Sequence, residues 1–267
     1  MNKAIGVFDS GLGGLTAVKE LLNIMPNENI IYFGDTGRVP YGTRGVDTII
    51  KYSRQDVNFL KQFDLKMVVV ACGTVSSVAL DTLKKENDIP IIGVVEPTAM
   101  AAVKKTKNKR IGIIGTSGTI NSGSYAKAIE KIDSSVKTFS MACPLFVPLV
   151  ENNYINNEAT YIIAKDYLEP LKKEKIDTLI LGCTHYPLIF KVISDIIGKD
   201  VELINSGAET AVYTKQLLQE GNMLNSGNKA EIQYYVSDNV PKFSSIASNF
   251  LDREITGEVK IIDIEKY

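Results

Sequence analysis

Two cysteines, Cys72 and Cys183, have the strongest claim to chemistry in this sequence. Each closes an apolar, β-branched run, VVVAC at 68–72 and TLILGC at 178–183, and each is followed closely by a threonine. A thiol at the carboxyl end of a strand, just before a helix start, sits in an electropositive position that lowers its pKa and favours thiolate. The competing reading of such a cysteine is a small core hydrophobe, and Cys143, in MACPLF, is read that way. His185 is the chain's one histidine and lies two residues after Cys183, close enough on an extended turn to bring its ring to that thiol. A lone histidine can equally be a hydrogen-bonded loop residue. Asp9 ends an apolar run and begins a glycine-rich turn, where an aspartate is more often a cap or turn former than an acid or base.

Several familiar chemistries do not fit. The cysteines show neither the close pairing of a structural zinc site nor a C-x-x-C redox motif, and one histidine rules out a multi-histidine metal centre. Gly11, Gly13 and Gly14 do not make G-x-G-x-x-G, and no P-loop lysine follows. Two thiols from two separate strand ends do fit a reaction that inverts a carbon centre. Removing a proton from one face and returning one to the other needs a base on each face, each able to act as an acid in reverse. A thiol pKa of ~8.5 keeps both protonation states within reach near neutrality.

The elements that must position these groups are legible as short apolar runs: 4–8, 30–33, 67–71, 91–95, 111–114, 178–181, 201–204, 232–236 and 259–262. Continuous runs of this length are expected for strands buried on both faces of a parallel sheet. Between them lie helical stripes: Leu15, Val18, Leu21, Leu22 and Met25 before Pro26; Ala208, Ala211, Val212 and Leu218 before Gly221; and Phe243, Ile246, Ala247, Phe250 and Leu251. The alternation gives an α/β class with mostly parallel sheets. IGVFDSGLGG (5–14) is echoed by IGIIGTSGTI (111–120), and LKMVVVACGT (65–74) by IDTLILGCTH (176–185). Two echoes in the same order suggest two similar α/β domains facing each other across a cleft that holds the active site, although apolar strand followed by glycine also recurs by chance in α/β proteins. The expected division is 1–97, 98–205 and a segment 206–267 returning to the first domain, with the first boundary in the Pro- and Lys-rich stretch after Pro97. Ligands in such folds sit beyond the carboxyl ends of strands. FDSGLGG, GDTGRVPYG, ACGTVSS and LGCTHYPL occupy that place, offering backbone N–H groups and hydroxyls to a carboxylate or phosphate.

The chain has 267 residues, with 30 Lys plus Arg against 31 Asp plus Glu and a formal net charge of −1. That balance argues against nucleic acid or an anionic membrane as the main partner. An odd number of widely spaced cysteines and the lack of an apolar leader or membrane-length run lead to the expectation of a cytoplasmic protein with free thiols.

These motifs, with PLVE ending at Glu151, are also where the sequence resembles the glutamate racemases of bacterial cell-wall synthesis, over essentially its whole length. The resemblance implies cofactor-independent, metal-free interconversion of L- and D-glutamate, supplying D-glutamate for peptidoglycan, by a homodimer. It implies that Cys72 acts on the D-substrate and Cys183 on the L-substrate, assisted by Asp9 and His185 respectively. Asp9, Ser10, Tyr41, Gly42, Gly73, Thr74, Thr184 and His185 would line the substrate, Thr116 and Thr119 would add carboxylate contacts, and Glu151 would act as an electrostatic helper. One departure is Gly73, where many family members carry asparagine, so that a side-chain hydrogen bond is lost. Read from residues alone, a zinc-dependent hydrolase with Cys and His ligands, or a two-domain binding protein without turnover, stays open beside this.

Overall fold

The computed structural model describes residues 3–227, 230–255 and 257–267. Its described strands are β1 (Ala4–Asp9), β2 (Ile30–Gly34), β3 (Leu65–Val70), β4 (Ile91–Gly93), β5 (Arg110–Gly115), β6 (Lys137–Ala142), β7 (Thr178–Leu181), β8 (Glu202–Asn205), β9 (Ile232–Val236) and β10 (Val259–Ile261). They form a six-stranded sheet in the order β10-β9-β2-β1-β3-β4 and a four-stranded sheet in the order β6-β5-β7-β8. Every pairing is parallel. The order β2-β1-β3-β4 in the first sheet recurs as β6-β5-β7-β8 in the second, and the echoed motifs fall on the matching strands, β1 with β5 and β3 with β7.

The inner strands are mostly apolar because helices cover both faces. β1, β3 and β7 are buried at every position. Helix Leu15–Ile24 turns Leu15, Val18, Leu21 and Leu22 inward and stops at Met25, just before Pro26. Helix Ser206–Glu220 starts on Asn205, whose side chain accepts the N–H groups of Gly207 and Ala208, a capping arrangement that supplies partners for otherwise free donors. Val212, placed in that helix's apolar stripe by the sequence, instead faces solvent at 57% exposure. Helix Val240–Leu251 buries Phe243, Ala247, Phe250 and Leu251, and β9 and β10 extend the first sheet, so the chain after the second sheet comes back to the first.

Other features also differ from the sequence expectation. The run 91–95 ends as strand at Gly93, and Val95 already begins helix Val95–Lys105. Pro97 sits in that helix's first turn, where no N–H donor is needed, so the stretch after it is helical as far as Lys105. β6 has no apolar run to announce it, because KTFSMA lies at a sheet edge and is only partly buried.

A buried ion pair ties the returning segment to the first sheet. Lys66 Nζ, on β3, donates to Glu28 Oε2 (2.7 Å), the Met223 carbonyl (2.7 Å) and Asn225 Oδ1 (2.8 Å), while the Asn225 N–H donates to Glu28 Oε1 (2.7 Å). All three ammonium protons are therefore used. Lys66→Met leaves a buried carboxylate without its cation and is expected to cost about 3–5 kcal/mol. The double change Lys66→Met with Glu28→Leu should recover much of that loss, as read from urea denaturation midpoints of the two variants.

Candidate active site

The carboxyl ends of β1 and β3 meet those of β5 and β7 around a small cavity. Ser10, Tyr41, Gly42, Cys72, Gly73, Thr74, Thr116, Cys183, Thr184 and His185 line it, together with Val39, Pro40, Val147 and Gly182. Of the residues singled out as catalytic or substrate-lining, all but Asp9 face this one space. Its volume is about 20 Å³, room for a single water.

The loops come this close because glycine occupies the points of contact. A Cβ on Gly13 would lie 2.1 Å from Thr184 Oγ1 and 2.6 Å from His185 Nδ1. One on Gly73 would lie 2.3 Å from the Gly182 carbonyl oxygen, and one on Gly42 would lie 2.6 Å from Thr116 Cβ. Each contact joins a loop of the first sheet to a loop of the second.

Cys72 precedes the helix Gly73–Val78, as the sequence indicates, and its Sγ is 3.5 Å from Ser10 Oγ. The expected lowering of its pKa is overturned. Burial, followed by the nearby charge of Asp9, pushes the thiol up to about 12, against the smaller opposing hydrogen bonds from Val75 and Ser10. A six-residue helix offers too little dipole to offset desolvation. Cys72 is therefore held as a thiol.

Cys183 differs. The chain after it makes a turn, then a 3-10 segment Tyr186–Ile189, and helix Phe190–Ile197 begins only afterwards, so no helix N-terminus adjoins this sulfur. Its neighbour is His185, with Sγ 3.8 Å from Nδ1. His185 Nε2 is 3.2 Å from Glu151 Oε1, and its ring meets the ring of Phe250 edge-on at 5.6 Å. Burial alone would lower the imidazole pKa, but the hydrogen bonds and charges of Cys183 and Glu151 outweigh it and raise the value to about 10. His185 is thus an imidazolium at neutral pH.

Asp9 lies behind the cavity wall, fully buried. Oδ2 accepts the Gly11 N–H (3.1 Å) and Oδ1 accepts the Thr184 hydroxyl (3.3 Å). The turn-forming reading is therefore visible, with a bond to the second sheet's loop added. Burial raises its pKa, partly countered by His185. Thr116 Oγ1 lies 2.9 Å from Thr74 Oγ1 and 3.1 Å from Thr119 Oγ1, so this hydroxyl chain also crosses between the sheets. Thr119 and Glu151 support the lining residues from behind. Cys143 is fully buried with Sγ 3.7 Å from the Met141 carbonyl, in keeping with a core thiol.

The Tyr41 hydroxyl is engaged by buried carboxylates. It donates to Asp35 and lies 3.1 Å from Asp56 Oδ2, two fully buried carboxylates bridged by Arg38. Arg38 also reaches Gln55 and Glu265 and stacks 4.1 Å above the Tyr52 ring. Tyr41 thus offers the cavity only its ring and backbone. Asp56, Gln55 and Glu265 carry no local motif that would link them to this loop. Among the described residues, no group of three His, Cys, Asp or Glu side chains stands close enough to hold a metal ion.

The Asp/Glu/Hydantoin racemase family model matches residues 16–214. The glutamate racemase of Geobacter metallireducens is 45% identical over 264 residues, covering 98% of this chain and 97% of the relative. That of Bacillus cereus is 42% identical over 267 residues, covering 100% and 99%. The crystal structure of a glutamate racemase isoform from Bacillus anthracis superposes with a TM-score of 0.95 at 42% identity, covering 98% of this chain and 97% of that one. The Francisella tularensis glutamate racemase in complex with D-glutamate gives 0.93 at 38% identity, covering 100% and 99%. With agreement over its full length in sequence and in fold, the chain belongs to the Asp/Glu/Hydantoin racemase family, among its glutamate racemases, and is an isomerase.

Proposed function

We propose that this chain interconverts L- and D-glutamate without a cofactor, using Cys72 and Cys183 as acid and base on opposite faces of the α-carbon. The observation that carries the reading is the convergence of both thiols on one cavity, each supplied by a different sheet. The Francisella relative's complex with D-glutamate supports the substrate. The same reading makes the protein a cytoplasmic homodimer that supplies D-glutamate to peptidoglycan. Among the described residues, no helix is long and apolar enough to cross a membrane.

The two environments give the thiols different starting roles. Cys72, with its proton held tightly, is the acid. Cys183, beside the His185 imidazolium, is the base that takes the α-proton of L-glutamate while Cys72 delivers its own proton to the other face. One C–H bond breaks and one forms, leaving Cys183 protonated and Cys72 as thiolate; solvent exchange or the reverse reaction resets the pair. The carbanion-like transition state needs stabilisation from preorganised donors, and in this reading Ser10, Thr74, Thr116, Thr184 and the loop N–H groups supply it. Cys72→Ser and Cys183→Ser should each slow racemisation about 10²- to 10⁴-fold with the fold intact by circular dichroism. Wild-type turnover in either variant, followed by optical rotation from pure L-glutamate, would overturn the mechanism. In deuterated water, label should enter the product α-carbon before it appears in recovered substrate.

A cavity the size of one water cannot admit glutamate, so the two halves must part to bind it. A side chain at position 73 conflicts with the closed contact to Gly182, so it should favour the parted arrangement. Gly73→Ala is expected to lower KM for glutamate roughly two- to fivefold with kcat nearly unchanged, because the fraction of binding-competent molecules rises. A raised KM or a collapse of kcat in steady-state assays would show instead that the tight contact serves the reaction.

A further inference from the structure

We propose that Thr16 is a positioning residue for the Cys183–His185 turn, reaching from the first sheet's leading helix to fix the backbone of the second sheet's catalytic loop. Thr16 is buried in the first turn of helix Leu15–Ile24, and its Oγ1 lies 2.8 Å from the Gly13 carbonyl and 3.0 Å from the Thr184 carbonyl. The hydroxyl has one proton to give, and the Gly13 carbonyl already accepts the Thr16 N–H at 3.0 Å, so the local acceptor is served without it and the proton is available to the Thr184 carbonyl, on the Thr184–His185 peptide of the other sheet.

The turn depends on this anchoring. Gly13 brings the backbone of residues 13–16 directly beneath Thr184 and His185, and the Thr184 hydroxyl adds its bond to Asp9. The contact that Thr16 secures is a sensitive one, because Cys183 Sγ and His185 Nδ1 are 3.8 Å apart, near the outer limit for a sulfur hydrogen bond. A small shift of the turn would break it and lengthen the 3.2 Å link from His185 to Glu151. The ionisable groups facing the imidazole are Cys183 on its own turn, Glu151 from helix Phe146–Glu151, and Asp9 at the end of β1. Helix Val240–Leu251 faces it with Phe250. The link to catalysis rests on the reading of Cys183 as a base.

The test is to compare Thr16→Val, which keeps the shape and removes the hydroxyl, with Thr16→Ser, which keeps the hydroxyl. Thr16→Ala serves as a second hydroxyl-free variant should valine not fold. Because His185 is the chain's one histidine, its imidazole resonances can be titrated without assignment ambiguity. Losing a buried hydrogen bond should lower kcat about ten- to a hundredfold, with KM changed little. The imidazole midpoint should fall from about 10 towards the ordinary 6.5, whereas Thr16→Ser stays near wild type in both. A lower melting temperature with the midpoint and kcat unmoved would reduce Thr16 to a structural role and overturn the proposal. The titration reads the turn independently of racemisation, so normal turnover in Cys183→Ser would refute the two-thiol mechanism without deciding the role of Thr16.

Discussion

The closed form of this site rests on backbone lying against neighbouring loops at glycine. Two sheets whose strand ends merely point at one another would leave a trough open to water between the two thiols. The Gly73 contact with Gly182, and the seating of Thr184 and His185 over Gly13, remove that gap. A methyl group at either glycine conflicts with an oxygen or a ring nitrogen at well under van der Waals distance. The hydrogen bonds between the halves, Thr74 with Thr116, Thr184 with Asp9 and Thr16 with the Thr184 carbonyl, are short-range and become available only once the loops are this close.

Within that frame, two similar pieces of sequence receive opposite electrostatic settings. ACGT and GCTH each end a buried strand, yet Cys72 is packed near a buried carboxylate and Cys183 near an imidazolium. The imidazolium persists despite burial because Glu151 approaches one ring nitrogen and Cys183 the other. Charge that would be costly alone is tolerable when both nitrogens are engaged. Symmetry of fold is thus joined to asymmetry of charge, with a buried carboxylate near one thiol and an imidazolium beside the other.

Much of this was readable in the sequence, and the limits have physical causes. The fully buried strands announced themselves as apolar runs, and the repeat pointed to paired sheets, because both depend on local composition. β6 escaped because an edge strand can carry Lys137, Thr138 and Ser140 without penalty. The spacing of Cys183 and His185 predicted their contact, since two residues on a turn cannot separate far. The local pattern around Cys72 shows the helix that follows but not the depth of burial or the approach of Asp9, which are tertiary and raise its pKa. Tyr41 lines the cavity, but its hydroxyl is claimed by Asp35 and by Asp56, which lies fifteen residues further along the chain.

The treatment of charged side chains around the cavity explains how an anionic substrate could be held without a basic surface. Arg38, three residues before Tyr41, is committed to Asp35, Asp56 and Glu265, and no Lys or Arg is found among the residues lining the cavity. The two aspartates are in turn kept off the site by the same guanidinium. Hydroxyls, thiols and backbone face the interior beside the apolar Val39, Pro40 and Val147, with His185 as the positive group. Neutral donors can grip carboxylates firmly once water is excluded, yet they leave the α-carbon free of a fixed ion pair that would favour one enantiomer. A racemase must bind both mirror images in one site. Donors distributed over two facing halves, with the strong charges neutralised behind the walls, suit that requirement better than a single anchoring arginine.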